Sequence, residues 1–188
     1  MRVMIKAIAS LLVLFVSGAV VLAPAHAGSK AFETYGDIAS YGVPIVAGVI
    51  SLYKDDEDGI VQLATGFAIS MASTYGLKKT VDRTRPDGSN DESFPSGHTA
   101  KAFAGAGYLH YRYGLKYGIP AYIASAAVGA SRVDADKHYW SDVIASAVLT
   151  NLVAMAVTER FQETPVEVGL MMGQDEDNTY GFAARMRF

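Results

Sequence analysis

The sequence predicts a mainly α-helical protein, a compact helical bundle followed by a C-terminal β-hairpin. Two observations carry this prediction. Several long stretches between residues 35 and 161 repeat apolar residues every three or four positions, which is the period of an amphipathic helix. Only residues 166–188 alternate apolar and other side chains, in two short runs around the turn-like QDEDN, a pattern typical of paired strands.

Residues 1–27 predict a secretory signal peptide that precedes the bundle. Arg2 and Lys6 precede an uncharged apolar run, which is followed by AHA, a sequence typical of a cleavage site. An uncleaved membrane anchor is the alternative. Cleavage after AHA leaves a helical domain over 28–165 and a hairpin-like tail over 166–188. It also predicts a periplasmic location, either free or associated with a membrane.

The helical period predicts five helices, and loops rich in charge, Gly or Pro separate them. Their ranges are 35–53, 60–78, 99–111, 119–130 and 141–161. We interpret these as core helices of a compact bundle, because polar residues interrupt the runs at 59–77 and 141–157 and the run at 119–130 is too short to span a membrane. Helices that span a membrane are the alternative. In the fifth helix the apolar side comprises Val143, Ile144, Val148, Leu152 and Ala156.

The composition excludes several classes of function. The chain has no cysteine, so disulfides and thiolate chemistry are ruled out. Its net charge is −3, and loss of the signal peptide removes two bases and no acid. An acidic chain without a basic stripe is not expected to bind nucleic acid. A local cluster of bases must therefore hold any anionic substrate.

Two such clusters are present, LKKTVDRTRP at 77–86 and SRVDADKHYWSD at 131–142. Either could be a solvated, charged loop. We interpret Lys79 and Arg83 as solvated or as supporting residues, and we expect Lys137 to point away from a site.

Between the clusters, PSGH at 95–98 has the features of an anion site followed by a proton carrier. Ser96 and Gly97 can start a helix, whose free backbone N–H groups bind anions, and Gly allows close approach. His98 would then stand beside the anion and could move a proton.

His138 and Asp142 are four residues apart, so on a helix they would share a face. A carboxylate beside an imidazole fixes the tautomer and supports its positive charge. Two histidines, one carboxylate and several bases together predict a nucleophile, an acid and an anion clamp.

These segments together resemble the superfamily of the type 2 phosphatidic acid phosphatases (PAP2) and the vanadium haloperoxidases. Lys78, six residues and then Arg85-Pro86 fit its first motif, PSGH fits the second, and 131–142 fits the third. The resemblance implies a helical bundle of the PAP2 type and a phosphatase that works without a cofactor or a metal. The sequence also has no His, Cys or carboxylate set at metal-ligand spacing.

The resemblance also implies a role for each matching residue. His138 would be the nucleophile that forms a phosphohistidine, and Asp142 would orient it. His98 would protonate the leaving oxygen and then activate water. The phosphate oxygens would be held by Lys78, Arg85, Ser96, Gly97 and Arg132.

The predicted substrates are phosphomonoesters, lipid phosphates or lipid diphosphates, such as phosphatidate, isoprenoid diphosphates or lipid A. We expect the tail to pack on the helical core, and contact of the tail with a membrane or a partner is the alternative. A vanadium haloperoxidase and a non-catalytic anion-binding envelope protein are the alternatives.

Overall fold

A computed structural model describes residues 29–162, 166–172 and 180–186 of the 188-residue chain. The predicted signal peptide at 1–27 lies outside this described part. The described residues form five helices and two strands. The elements are α1 (Ser29–Tyr53), α2 (Glu57–Thr80), α3 (Gly97–Tyr113), α4 (Leu115–Asp134), α5 (Trp140–Val157), β1 (Val166–Met172) and β2 (Tyr180–Met186).

The mainly helical fold class is confirmed, and the two predicted strands are present. β1 pairs antiparallel with β2, from Val166 opposite Met186 to Met172 opposite Tyr180. The predicted turn at 173–179 lies outside the described residues. The boundary at 165 between a helical domain and a tail stays a prediction.

Local signals explain where the helices begin and end. The side chain of Asp56 accepts the Gly59 N–H at 2.9 Å and caps α2. Ser96 caps α3 in the same way, through the Thr99 N–H at 3.5 Å. Between α3 and α4 the chain turns at Gly114, whose φ of 90° favours glycine. Short connections of this kind make consecutive helices antiparallel.

Helix α3 lies at the centre of the bundle and packs against the other four helices. Small residues allow this close packing. A Cβ on Gly105 would lie 2.7 Å from the backbone nitrogen of Pro44 in α1, and a Cβ on Gly107 would lie 2.9 Å from the Cβ of Ala154 in α5. The core is therefore built largely of Gly, Ala and Val, with Tyr108 as a large buried side chain.

Much of the apolar surface of α2 and α5 does not face this core. In α5, Ile144, Val148 and Leu152 are 59%, 53% and 54% exposed, whereas Ser146 and Thr150 are fully buried. Helix α2 buries Gly66, Ser70 and Thr74 in the same manner. The prediction that these apolar sides form a core is therefore wrong for Ile144, Val148 and Leu152, because small and polar residues pack between the helices and leave these large side chains outside. It holds for Val143 in α5 and for Leu63 in α2, which pack inward.

This arrangement is typical of helices in a lipid environment, where small residues mediate helix packing and large apolar residues face lipid. Within the described residues three helical stretches are long and apolar enough to cross a membrane: Lys30–Tyr53, Glu57–Thr80 and Trp140–Val157. The protein is therefore membrane-associated.

The antiparallel helices give the bundle two chemically different ends. At one end, a buried ion pair joins Arg112 at the end of α3 to Asp56 before α2, with Nε and Oδ2 2.8 Å apart. The Tyr113 hydroxyl donates to the same carboxylate at 2.6 Å. The other end collects the starts of α1, α3 and α5 and the ends of α2 and α4, and it holds the pocket described next.

Candidate active site

A pocket of about 290 Å³ opens at this second end of the bundle. Six of the eight predicted site residues line it: Lys78, Arg85, Gly97, His98, Arg132 and His138. The two others, Ser96 and Asp142, are fully buried nearby. The structure thus brings together three segments that lie up to 60 positions apart in the sequence.

His138 is buried, and its surroundings fix its tautomer. Its Nδ1 lies 2.7 Å from the backbone carbonyl oxygen of Ser93. Since a carbonyl only accepts, Nδ1 must carry the hydrogen and donate it. The neutral ring therefore has its lone pair on Nε2. Nε2 can therefore attack directly, because it carries no proton that another group would have to remove.

Asp142 supports the site differently from the prediction. His138 precedes α5, so the two residues do not share a helical face, and Nδ1 lies 3.7 Å from Asp142 Oδ2, beyond hydrogen-bond distance. Oδ2 instead accepts from the Ser93 hydroxyl at 2.6 Å and from the Tyr139 N–H at 2.9 Å. Oδ1 accepts from Arg83. Asp142 therefore joins the Ser93 loop to the start of α5 and holds His138 between them.

Both histidines of the pocket are neutral near neutral pH. Burial lowers the pKa of His138 to about 4, and the charge of Lys78 acts in the same direction. Burial also lowers the pKa of His98 to about 4, with further contributions from Arg132 and Lys101. A neutral imidazole has the lone pair that a nucleophile or a base requires.

Three cations predicted for the site lie in the same pocket as the two rings. Lys78 is buried and donates to the Glu92 carbonyl at 2.5 Å, while Arg85 Nε donates to the side chain of Asn90 at 2.8 Å. Arg132 is buried as well, yet among the described residues its Nε and Nη2 make no hydrogen bond. Nη2 instead makes an ion-pair contact with Glu33 at 3.3 Å. Buried guanidinium donors that make no hydrogen bond favour an anionic ligand, because a phosphate oxygen would satisfy them.

The PSGH segment contributes less directly than predicted. The Ser96 hydroxyl accepts from Thr99, from the backbone N–H at 3.5 Å and from the hydroxyl at 2.9 Å, and Ser96 does not line the pocket. Its role as a phosphate ligand stays a prediction. Gly97 does line the pocket, and a Cβ there would meet no atom within 4 Å. The backbone at Gly97 is therefore open to a ligand.

Sequence reasoning missed the acidic residues that α1 adds. Asp37 Oδ1 accepts from Arg132 Nη1 at 2.7 Å and lies 3.2 Å from His98 Nε2. Glu33, one turn earlier, lies 3.3 Å from Arg132 Nη2 and lines the pocket. No motif marks them, and only their spacing of four on one helix could have suggested a shared face.

Two lysines to which the family resemblance gives no role also reach the pocket. Lys137, expected to point away, lines it and pairs with Asp87 at 2.7 Å. Lys101 lines it and donates to the Tyr41 hydroxyl at 2.7 Å. Within the described residues, no group of three or more His or carboxylate side chains is arranged to hold a metal ion.

Comparison with known proteins gives a consistent picture. The family model described as "PAP2 superfamily" matches residues 59–164. The chain is 29% identical over 150 residues to a lipid A 4'-phosphatase of Helicobacter pylori strain J99, covering 74% of this chain and 75% of that protein. It is 34% identical over 136 residues to a lipid A 1-phosphatase of Porphyromonas gingivalis, covering 67% of this chain but only 31% of that protein.

Among solved structures, the chain is similar to a transmembrane PAP2-type phosphatidylglycerolphosphate phosphatase from Bacillus subtilis. The identity is 22%, the TM-score is 0.49, and the alignment covers 79% of this chain and 93% of that one.

Proposed function

Because the chain belongs to the PAP2 superfamily, we propose that it is a lipid phosphate phosphatase that works through a phosphohistidine and without a metal. The family model and the two phosphatase relatives show that the chain is a phosphoric ester hydrolase. The observation that carries the proposed mechanism is the pair of neutral histidines, the buried His138 and the half-buried His98, at one pocket that five cations line. The relatives named above are phosphatases, which favours hydrolysis over a haloperoxidase or a non-catalytic envelope protein.

In the first step, His138 Nε2 attacks phosphorus while the bond from phosphorus to the leaving oxygen breaks. His98 donates a proton to that oxygen. The negative charge of the bound phosphate opposes the charges of Arg132 and Lys101, so it favours the protonated form of His98 that this step needs. The transferring phosphoryl group carries charge on its equatorial oxygens, which Lys78, Arg132 and their neighbours are placed to neutralise.

In the second step, water attacks the phosphohistidine. The bond between phosphorus and Nε2 breaks and releases phosphate. His98, neutral after the first transfer, accepts the proton of the water. His138 returns to the tautomer with hydrogen on Nδ1, which the Ser93 carbonyl retains throughout.

The exposed apolar faces support a substrate that lies in a membrane. The pocket opens at the end of helices whose outer faces carry residues such as Ile38, Ile45 and Ile144. A phosphate at the headgroup level of a bilayer would reach this end while its acyl chains remain in lipid. The names of the two relatives make the phosphates of lipid A the first substrates to test.

The test is phosphate release by the purified full chain in detergent with EDTA present. The substrates are lipid A, phosphatidate and a soluble aryl phosphate. We expect His138→Ala to reduce release at least about a thousandfold, as removal of a nucleophile does elsewhere. His110→Gln is the matched control, because His110 lies outside the pocket and contacts Tyr122.

Residual activity in His138→Ala above a tenth of the wild type would contradict the phosphohistidine. Loss of wild-type activity on EDTA treatment would contradict independence from metal. Turnover of the soluble ester but of neither lipid would contradict the lipid substrate.

A further inference from the structure

Asp37 stands where a carboxylate is unfavourable for the proposed reaction. It lies on α1, before the 59–164 segment that the family model matches, and beside a pocket for an anion. A second negative charge near a bound phosphate opposes binding. The contacts of Asp37 indicate a role that could offset this unfavourable charge. Its Oδ1 contacts both Arg132 and His98.

The contact with His98 distinguishes the two ring nitrogens. Nε2 lies 3.2 Å from Asp37 Oδ1, within ion-pair distance though not in hydrogen-bond geometry, and a carboxylate oxygen this close favours a hydrogen on Nε2 over a lone pair. Within the described part of the chain, Nδ1 of His98 makes no hydrogen bond. Nδ1, which has no such neighbour, is therefore the nitrogen that can exchange a proton with a substrate while Nε2 stays beside Asp37.

We infer that Asp37 is a positioning residue of the reaction: it holds His98 so that Nδ1 serves as acid in the first step and as base in the second. This inference rests on the proposed function. On proton donation, Nδ1 loses its hydrogen and the neutral ring keeps the one on Nε2. The freed lone pair on Nδ1 then accepts the proton of the attacking water, and no ring rotation is needed between the steps.

Glu33 provides the matched control on the same helix face. It approaches Arg132 Nη2 at 3.3 Å and has no contact with His98 among the described contacts. Asp37 touches Arg132 as well, so loss of either carboxylate disturbs the guanidinium. Only the loss of Asp37 should also disturb proton transfer.

The experiment compares Asp37→Asn and Glu33→Gln with the wild type on two soluble esters, an aryl phosphate with an acidic phenol and an alkyl phosphate. The alkyl leaving group needs protonation far more than the phenol does. We expect Asp37→Asn to lower kcat for the alkyl ester at least about tenfold more than for the aryl ester. Glu33→Gln should lower both by a similar factor.

Equal losses on both esters in Asp37→Asn would overturn the inference, since Asp37 would then act only through Arg132. An unchanged kcat would overturn it too. Wild-type turnover that vanishes in His138→Ala establishes the proposed function independently of either result.

A second readout does not depend on turnover. The charged groups that act on His98 are Asp37 on α1, Lys101 on α3, Arg132 on α4 and Arg85 in the loop after α2, and among them only Asp37 favours the protonated ring. NMR titration of His98 in the folded, detergent-solubilised chain should therefore show a lower pKa in Asp37→Asn than in the wild type. An unchanged pKa would overturn the inference.

Discussion

At the scale of single residues, the two histidines link anion binding to proton uptake. The pKa of His98 lies at about 4, below its ordinary value of about 6.5, because burial and the charges of Arg132 and Lys101 disfavour the proton. A bound dianion offsets those charges and raises this pKa. At pH 5 to 6 the free protein therefore holds His98 neutral, and the complex holds more of it protonated.

We therefore predict that sulfate, a dianion that does not itself titrate in this range, binds with uptake of protons near pH 5.5. Calorimetry in buffers with different ionisation enthalpies measures the number of protons. The uptake should fall in His98→Gln. If that variant takes up as many protons as the wild type, the proton is bound elsewhere, and His138 is the first alternative.

The residues that carry motifs could be predicted from the sequence, but their partners could not. Lys78, Arg85, His98 and His138 face one pocket as expected. The acceptor of His138 is a main-chain carbonyl, at Ser93, which any residue type would supply. Asp37 meets Arg132 across 95 positions without a recognisable pattern. A contact with a main-chain carbonyl and a contact between distant side chains both depend on tertiary packing, and neither leaves a recognisable pattern in the local sequence.

At the scale of elements, the helical period locates a helix but not the environment of each face. The spacing of Ile144, Val148 and Leu152 indicates an amphipathic helix equally well whether that side packs in a core or faces lipid. The opposite side of α5 distinguishes the two environments, because the small polar residues Ser146 and Thr150 lie four positions apart there and are both buried. A stripe of small polar residues opposite large apolar ones favours packing within a membrane.

The exposed side of α5 gives a direct test of this orientation. Val148→Lys places a charge near the middle of the helix, which costs about 3 kcal/mol in lipid but little in water. We expect less of this variant in the membrane fraction of cells that produce it, and Val148→Leu should behave as the wild type. Equal recovery of the lysine variant would show that this face of α5 contacts water.

At the scale of the whole molecule, an ion pair stabilises the end of the bundle away from the pocket. Arg112 and Asp56 are 6% and 4% exposed, so removal of one leaves the other charged and buried. We predict that Arg112→Met lowers the free energy of unfolding by about 3–5 kcal/mol. The measurement is thermal unfolding in detergent.

Arg160→Met is the control, since Arg160 is exposed and should contribute within about 0.5 kcal/mol. The double variant Asp56→Asn with Arg112→Met should recover part of the loss. Below its unfolding temperature, Arg112→Met should retain the wild-type KM because the pair lies away from the pocket. A large change in KM with unchanged stability would contradict the assignment of stability to the Arg112 end of the bundle and of substrate binding to the pocket end.

The alternating directions of the five described helices put the start of α1 and the end of α5 at opposite ends of the bundle. A chain that passes through a layer an odd number of times leaves it on the face opposite to the one where it entered. The pocket shares its face with the start of α1, and the segment after α5 contacts Arg112 at the other end. In a membrane that the bundle traverses, a predicted cleavage after Ala27 would place the pocket on the periplasmic face. The segment leading to β1 would then emerge on the cytoplasmic face, so reagents applied from one compartment would reach one end of the protein and spare the other.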